Sequence, residues 1–155
     1  MGNPDRAAQV SLSPRDLNRL AGVHGDLVAV VRRAFQIWAT RNTGAALQVS
    51  EGLRTPERQR ELYAQGRTAP GKIVTNTMAS RHLTGHAVDI IVVKDGVAQW
   101  NDLKLWDELG DCMLEAAQFC GTPIRWGADW DRDGKRRERG ESDSPHFELP
   151  REHYP

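Results

Sequence analysis

Ser80-Arg81-His82-Leu83-Thr84-Gly85-His86-Ala87-Val88-Asp89 runs straight into Ile90-Ile91-Val92-Val93. Polar residues broken by a glycine and followed by a β-branched apolar run read as a turn feeding a buried strand. Asp89 stands at the mouth of that strand. A carboxylate there needs a paired charge or a metal, because an isolated buried charge is strongly disfavoured. His82 precedes Asp89 by seven residues. That is about 10 Å of helical rise, so the two cannot share one helix face at one level. Gly85 between them lets the chain fold back so that both side chains reach one point. The spacing leaves two readings open: two ligands of a common zinc ion, or a surface histidine beside a salt-bridged aspartate.

Outward from this stretch the chain alternates helices and short strands. On the N-terminal side, Ser13-Pro14-Arg15-Asp16 is a helix start. Leu27, Val30, Val31, Ala34, Phe35 and Trp38 form the apolar stripe of a second helix. Residues 45–50 read as a strand leading into Glu51-Gly52-Leu53-Arg54. Thr55-Pro56-Glu57 caps a helix to about residue 66, with Leu62 and Tyr63 inward, and residues 67–79 read as a loop. On the C-terminal side, Lys94-Asp95-Gly96 is a hairpin turn. Asn101 can cap a long helix with Leu105, Trp106, Leu109, Cys112, Met113, Ala116, Ala117 and Cys120 on one face. Ile124-Arg125-Trp126 is a short strand, residues 127–142 are a charged loop, and residues 144–149 form a last strand. Without internal repeats or a long linker, one domain over 1–155 is expected, with 1–12 a loose lead-in and 150–155 a tail. The class is α+β: a small, mostly antiparallel sheet with helices packed against it.

Bulk properties narrow the partners. A chain of 155 residues suits one domain with a real core. Lys plus Arg and Asp plus Glu are 21 each, so net charge gives no argument for nucleic acid or an anionic membrane. No apolar run approaches the roughly 20 residues of a membrane span, so no stable membrane insertion is expected. Met1-Gly2-Asn3-Pro4-Asp5-Arg6 lacks the apolar region of a signal peptide, and Arg6 stands where a myristoylation site wants Ser or Thr. The chain is therefore expected to be made in the cytoplasm. Cys112 and Cys120 lie about 12 Å apart along a helix, beyond the roughly 7 Å a disulfide tolerates, and read as core thiols.

The histidines are His24, His82, His86, His146 and His153. His24 and His153 fall in a turn and in the tail and read as surface residues. A zinc hydrolase uses three protein ligands and leaves the fourth position to water; His82, Asp89 and His146 would make such a set. Asp143, three residues before His146, could take a proton from the attacking water and pass it to the leaving nitrogen. Asp-Ser-Pro is also a turn sequence, and the residues alone permit both. Asp129-Trp130-Asp131-Arg132-Asp133-Gly134 imitates the first half of a calcium loop, but Gly140 stands where the twelfth-position Glu belongs, with Glu141 next. A solvated acidic turn fits the same residues. Lys135, Arg136, Arg137 and Arg139 read either as a solvated basic loop or as a patch attracted to an anionic cell wall, weakened by salt.

Ser80-x-His82-x-x-Gly85-x-Ala87-x-Asp89 with a later Asp143-x-x-His146-x-Glu148 resembles the family of zinc D-Ala-D-Ala carboxypeptidases and L-alanyl-D-glutamate endopeptidases, above all its phage endolysin branch. Glu51-Gly52-Leu53-Arg54-Thr55 and Arg125-Trp126-Gly127-Ala128-Asp129-Trp130 are similar too, so the resemblance spans roughly residues 14–149. It implies zinc on His82, Asp89 and His146, Asp143 as acid and base, and Arg54 at the developing oxyanion or a substrate carboxylate. It also implies Ser80, His86 and Glu148 as residues supporting the site, and a regulatory calcium at Asp129, Asp131 and Asp133. Asp143 in place of Glu favours the endolysin branch. The implied activity is hydrolysis of an amide in the peptidoglycan stem, between L-Ala and D-Glu, by a monomer released through a holin. The alternatives are a D,D-carboxypeptidase that frees terminal D-Ala and, in another class, a non-catalytic wall-binding module with structural zinc.

Overall fold

The computed structural model describes residues 12–75, 80–138 and 140–155. The lead-in and Arg139 thus fall almost wholly outside the described residues. Helix α1 (Pro14–Arg19) is followed by α2 (Gly25–Ala39), strand β1 (Ala46–Glu51) and α3 (Pro56–Ala64). A 3-10 turn, Arg81–Thr84, then feeds β2 (Ala87–Lys94) and β3 (Val97–Ala98). Helix α4 (Leu103–Cys120), β4 (Arg125–Trp126) and β5 (His146–Glu148) complete the order. The sheet runs β1-β2-β5-β4, with β3 on β2, and every pairing is antiparallel. The expected α+β architecture is the observed one.

The opening stretch is the centre of this sheet. Alternation along β2 buries Val88, Ile90 and Val92 completely, and these face α2 and α4, whose stripes of Leu27, Val30, Val31, Leu109, Met113 and Ala116 share the same core. α1 is tied to the sheet by two residues, Arg19, whose Nη1 donates to the Val49 carbonyl at 2.8 Å, and Asp16. Asp16 closes a capping box with Ser13, and its other carboxylate oxygen accepts the Val49 amide at 2.9 Å. Cys112 is buried and Cys120 half-buried, both unpaired, as a helical spacing of eight requires.

Three expectations are corrected. In α3 the buried residue is Gln59, not Leu62 or Tyr63; Gln59 lies on their face of the helix and is drawn in by a buried arginine described below, while Tyr63 stays half-buried under the Arg67 guanidinium, 4.0 Å away. Two arginines of the basic patch are not free cations. Arg136 and Arg137 pair with Asp107 and Asp111 on α4, and their guanidinium groups lie 4.9 and 6.0 Å from the Trp126 ring. They fasten the 127–142 loop to α4. The C-terminal residues are also held: Arg81 Nη2 donates to the carbonyls of Leu149 and Tyr154, and Tyr154 donates its hydroxyl to Asp26.

Trp126 is the brace between α4 and the site. It is buried, stacks on Phe147 at 5.8 Å, and donates Nε1 to the Ser144 carbonyl at 2.7 Å. It fits only because position 110 has no side chain: a Cβ there would sit 2.3 Å from the Trp126 ring. Gly110→Ala should therefore overpack the core by about 1–3 kcal/mol, lowering the melting temperature by about 2–12 °C for a chain of this size. A calorimetric melt within 1 °C of wild type would show that the ring can yield.

Candidate active site

Asp89 and His146 lie directly opposite each other across the β2–β5 ladder. His82 comes from the 3-10 turn, which ends at Gly85 in the left-handed conformation, φ 76°. A Cβ at position 85 would meet the Gly22 carbonyl oxygen at 2.3 Å. Only glycine satisfies both conditions. The return of the chain at Gly85 is what brings His82 back over Asp89, as the spacing suggested.

The three side chains meet at one oxygen. His82 Nε2 lies 3.1 Å from Asp89 Oδ1, and His146 Nδ1 lies 3.2 Å from the same atom. Each imidazole is fixed from behind. His82 Nδ1 donates to the Gly52 carbonyl at 2.9 Å, and His146 Nε2 donates to Glu148 Oε1 at 2.8 Å. With those protons committed, the inward nitrogens of neutral imidazoles present lone pairs to a carboxylate oxygen. Three acceptors facing one another require a cation between them. A proton is one solution. Burial disfavours a charged His146, but the bonds to Asp89 and Glu148 outweigh it and pull the imidazole up to about 9. Burial likewise opposes the Asp89 charge, and the two histidines overcome it, holding that carboxyl well below the usual range. A metal ion is the other solution. Ligand atoms of His82, Asp89 and His146 all lie within 4.8 Å of one another. Two imidazoles whose outer N–H groups are held by a carbonyl and a carboxylate are the donor set zinc prefers.

These residues open onto a cavity of about 740 Å³ whose wall includes Glu51, Arg54, Ser80, Trp130, Asp143 and Arg151. Asp143 is exposed at its mouth. The turn reading of Asp-Ser-Pro holds: the His146 amide donates to the Asp143 carbonyl across a turn at 3.1 Å. The turn is pinned by the Asp143 amide to the Gly127 carbonyl, Gly127 to the His146 carbonyl, and Ile90 to the Pro145 carbonyl. Desolvation at the mouth pushes the Asp143 carboxyl up; the charge of Asp89 adds to this, while His146, His82 and Arg54 pull it back.

Arg54 is buried and tightly held. Nε and Nη2 form a fork on the Glu51 carboxylate at 2.7 and 2.6 Å, and Nη1 donates to Gln59 Oε1 at 2.6 Å and Ser80 Oγ at 3.4 Å. Ser80 Oγ also accepts the His82 amide, linking the arginine to the turn that carries His82. Glu148 stands behind His146 and also accepts from Arg125 Nη2 at 3.0 Å. His86 is placed elsewhere: it bonds Thr84 Oγ1 and lies beside His24, ring centroids 5.7 Å apart, outside the cavity. One residue past Gly85 the chain has already reversed, so His86 points away.

The acidic loop gathers more carboxylates than the Asp129, Asp131, Asp133 alternation foretold. Asp129 and Asp131 form one cluster with the buried Glu141, and Asp131 and Asp133 another with Glu138. The Asp133 hydrogen bond, with neighbouring negative charge, pushes Glu138 up to about 7. The sequence reading missed Glu51, Gln59 and the Gly52 carbonyl. For Gln59 a signal existed: it is a polar residue three and four positions before Leu62 and Tyr63, on what should have been an apolar stripe.

A family model described as phage L-alanyl-D-glutamate peptidase matches residues 9–150. The chain is 29% identical to the L-alanyl-D-glutamate peptidase of Escherichia phage T5, over 84% of this chain and 91% of that protein. It is 34% identical to the peptidoglycan L-alanyl-D-glutamate endopeptidase CwlK of Bacillus subtilis, over 72% of this chain and 65% of the relative. Among solved structures, the Serratia marcescens L-Ala D-Glu endopeptidase ChiX superposes with a TM-score of 0.71 at 35% identity, covering 93% of this chain and 92% of that one.

Proposed function

This chain belongs to the phage L-alanyl-D-glutamate peptidase family, and on that premise we propose that it hydrolyses the amide between L-Ala and D-Glu in the peptidoglycan stem, with zinc held by His82, Asp89 and His146. The observation that carries the reading is the convergence of two imidazole lone pairs on Asp89 Oδ1, with both outer N–H groups committed. When bound there, zinc would supply Lewis acidity to the scissile carbonyl and to the attacking water. Asp143 takes the proton of that water and returns it to the leaving amine; a carboxyl raised by its surroundings suits the second half of that task. Arg54, fixed by Glu51, Gln59 and Ser80, steadies negative charge on the carbonyl oxygen from the cavity wall. Ser80 positions the turn that carries His82, and Glu148 orients His146. The enzyme works on the wall as a monomer after holin-dependent release. For the acidic loop the reading stops at a cluster of oxygen donors able to take a hard cation such as Ca²⁺.

Mass spectrometry of muropeptides from digested diaminopimelate-type walls tests this. Stem peptides beginning at D-Glu should appear, vanish with a chelator, and return with zinc. Release of free D-Ala alone would make the enzyme a D,D-carboxypeptidase, and wall binding without new amino groups would make the domain non-catalytic.

A further inference from the structure

We propose that Arg125, with Arg81 and Arg151 beside it, forms a subsite for the free carboxylate of the glutamyl residue on the leaving side of the scissile bond. The inference rests on the peptidase reading above. A glutamate that continues a peptide through one of its carboxyls leaves the other as a carboxylate or capped as an amide. The two substrate forms therefore differ by one charge beside the bond that breaks.

Arg125 lies opposite Glu148 across the β4–β5 ladder. Its guanidinium sits 4.8 Å from the Trp130 ring, and that ring packs 5.3 Å from His146. Trp130 thus touches both the cation and a ligand residue, which puts Arg125 at the rim of the ligand set, in the cavity wall. Among the described residues Arg125 makes one hydrogen bond, from Nη2 to Glu148, and its buried Nε has no acceptor. Its side chain keeps 38% of its surface, against 8% for Arg54. The contrast separates the two arginines. Arg54 has a carboxylate of its own in Glu51, whereas Arg125 shares with His146 a carboxylate that both need.

Arg81 and Arg151 line the same cavity. Arg81 is buried and donates to backbone carbonyls, and its Nε also has no acceptor among the described residues. Arg81, Arg125 and Arg151 thus share one cavity wall. A guanidinium stacked on an aromatic ring offers donors in a fixed plane, suited to a carboxylate and indifferent to an amide nitrogen.

The test uses the zinc-loaded, full-length enzyme and two synthetic peptides, N-acetyl-L-Ala-γ-D-Glu-L-Lys and its α-carboxamide. Wild type should prefer the acid by about 10-fold or more in kcat/KM, carried by KM, the size of one charge-assisted hydrogen bond. Arg125→Gln should bring the ratio to about one, and Arg125→Lys should restore part of it. Because Arg125 also touches Glu148, zinc content is measured for each variant, and calorimetry follows binding of both peptides to metal-free protein. There the acid should bind wild type more tightly, and Arg125→Gln should bind the two alike. Equal use of both peptides by wild type, or an unchanged preference in Arg125→Gln, overturns the subsite and leaves the peptidase standing. Failure to cleave either peptide with zinc retained overturns the peptidase reading, and the metal-free binding ratio then judges the subsite alone.

Discussion

Asp143→Asn is expected to fold, keep its zinc and lose about 10²–10⁴-fold in kcat, the usual contribution of a positioned acid–base group. Asparagine keeps the shape of the side chain and every backbone bond of the turn, from the Asp143 amide to Gly127 and from the His146 amide to the Asp143 carbonyl. Ligand placement should therefore survive, because Asp143 is not among the clustered donors of His82, Asp89 and His146. What disappears is the group that accepts a proton. Because Asp143 must be ionised to accept that proton, wild-type kcat/KM should fall on the acid side of its pH profile, and the variant should lack that limb. Hydrolysis of a defined stem peptide, with zinc content measured on the same preparation, checks the prediction. Wild-type turnover by Asp143→Asn with full zinc would remove Asp143 from the mechanism.

The legible part of the molecule was the part governed by local pattern. The stripe of α2, the face of α4 and the apolar run of β2 follow from periodicity, and each folds where its spacing put it. Gly85 was legible too, since a glycine between two prospective ligands has a geometric task. The unread part depends on pairings between distant segments. The Gly52 carbonyl that fixes the His82 tautomer is a backbone atom thirty residues away and leaves no trace in side-chain identity. Glu51 and Gln59 gain meaning only once Arg54 is seen buried between them. The basic loop was misread for the same reason. A run of arginines looks like a free cationic face until Asp107 and Asp111, more than twenty residues earlier, are found opposite it. His86 was placed beside the site by proximity in sequence, although the reversal at Gly85 that recruits His82 turns His86 away.

Asp89→Asn should lower zinc affinity by more than about 100-fold and abolish wall lysis. That exceeds the 10–100-fold attributed to loss of a residue supporting a ligand, because Asp89 Oδ1 is the atom on which both histidines converge. The amide removes the negative charge that balances the cation. The variant also exposes the proton's role in metal-free protein. His146, raised to about 9, contributes stability that is complete below the unfolded value of about 6.5 and is lost as pH rises through about 9. Asp89 runs the other way: held low, it stabilises above its unfolded value of about 3.9 and loses that as pH falls. Chelated wild type should therefore become less stable from about pH 6.5 to 9, and Asp89→Asn should show a shallower fall, since one partner of the proton is gone. Zinc should reverse the trend in wild type. It must displace the His146 proton to bind, so its affinity should climb with pH across the same window. Melting curves with chelator and with zinc, at several pH values, test both signs together. A pH-independent zinc affinity between 6.5 and 9 would mean that proton and metal do not compete for the same three atoms.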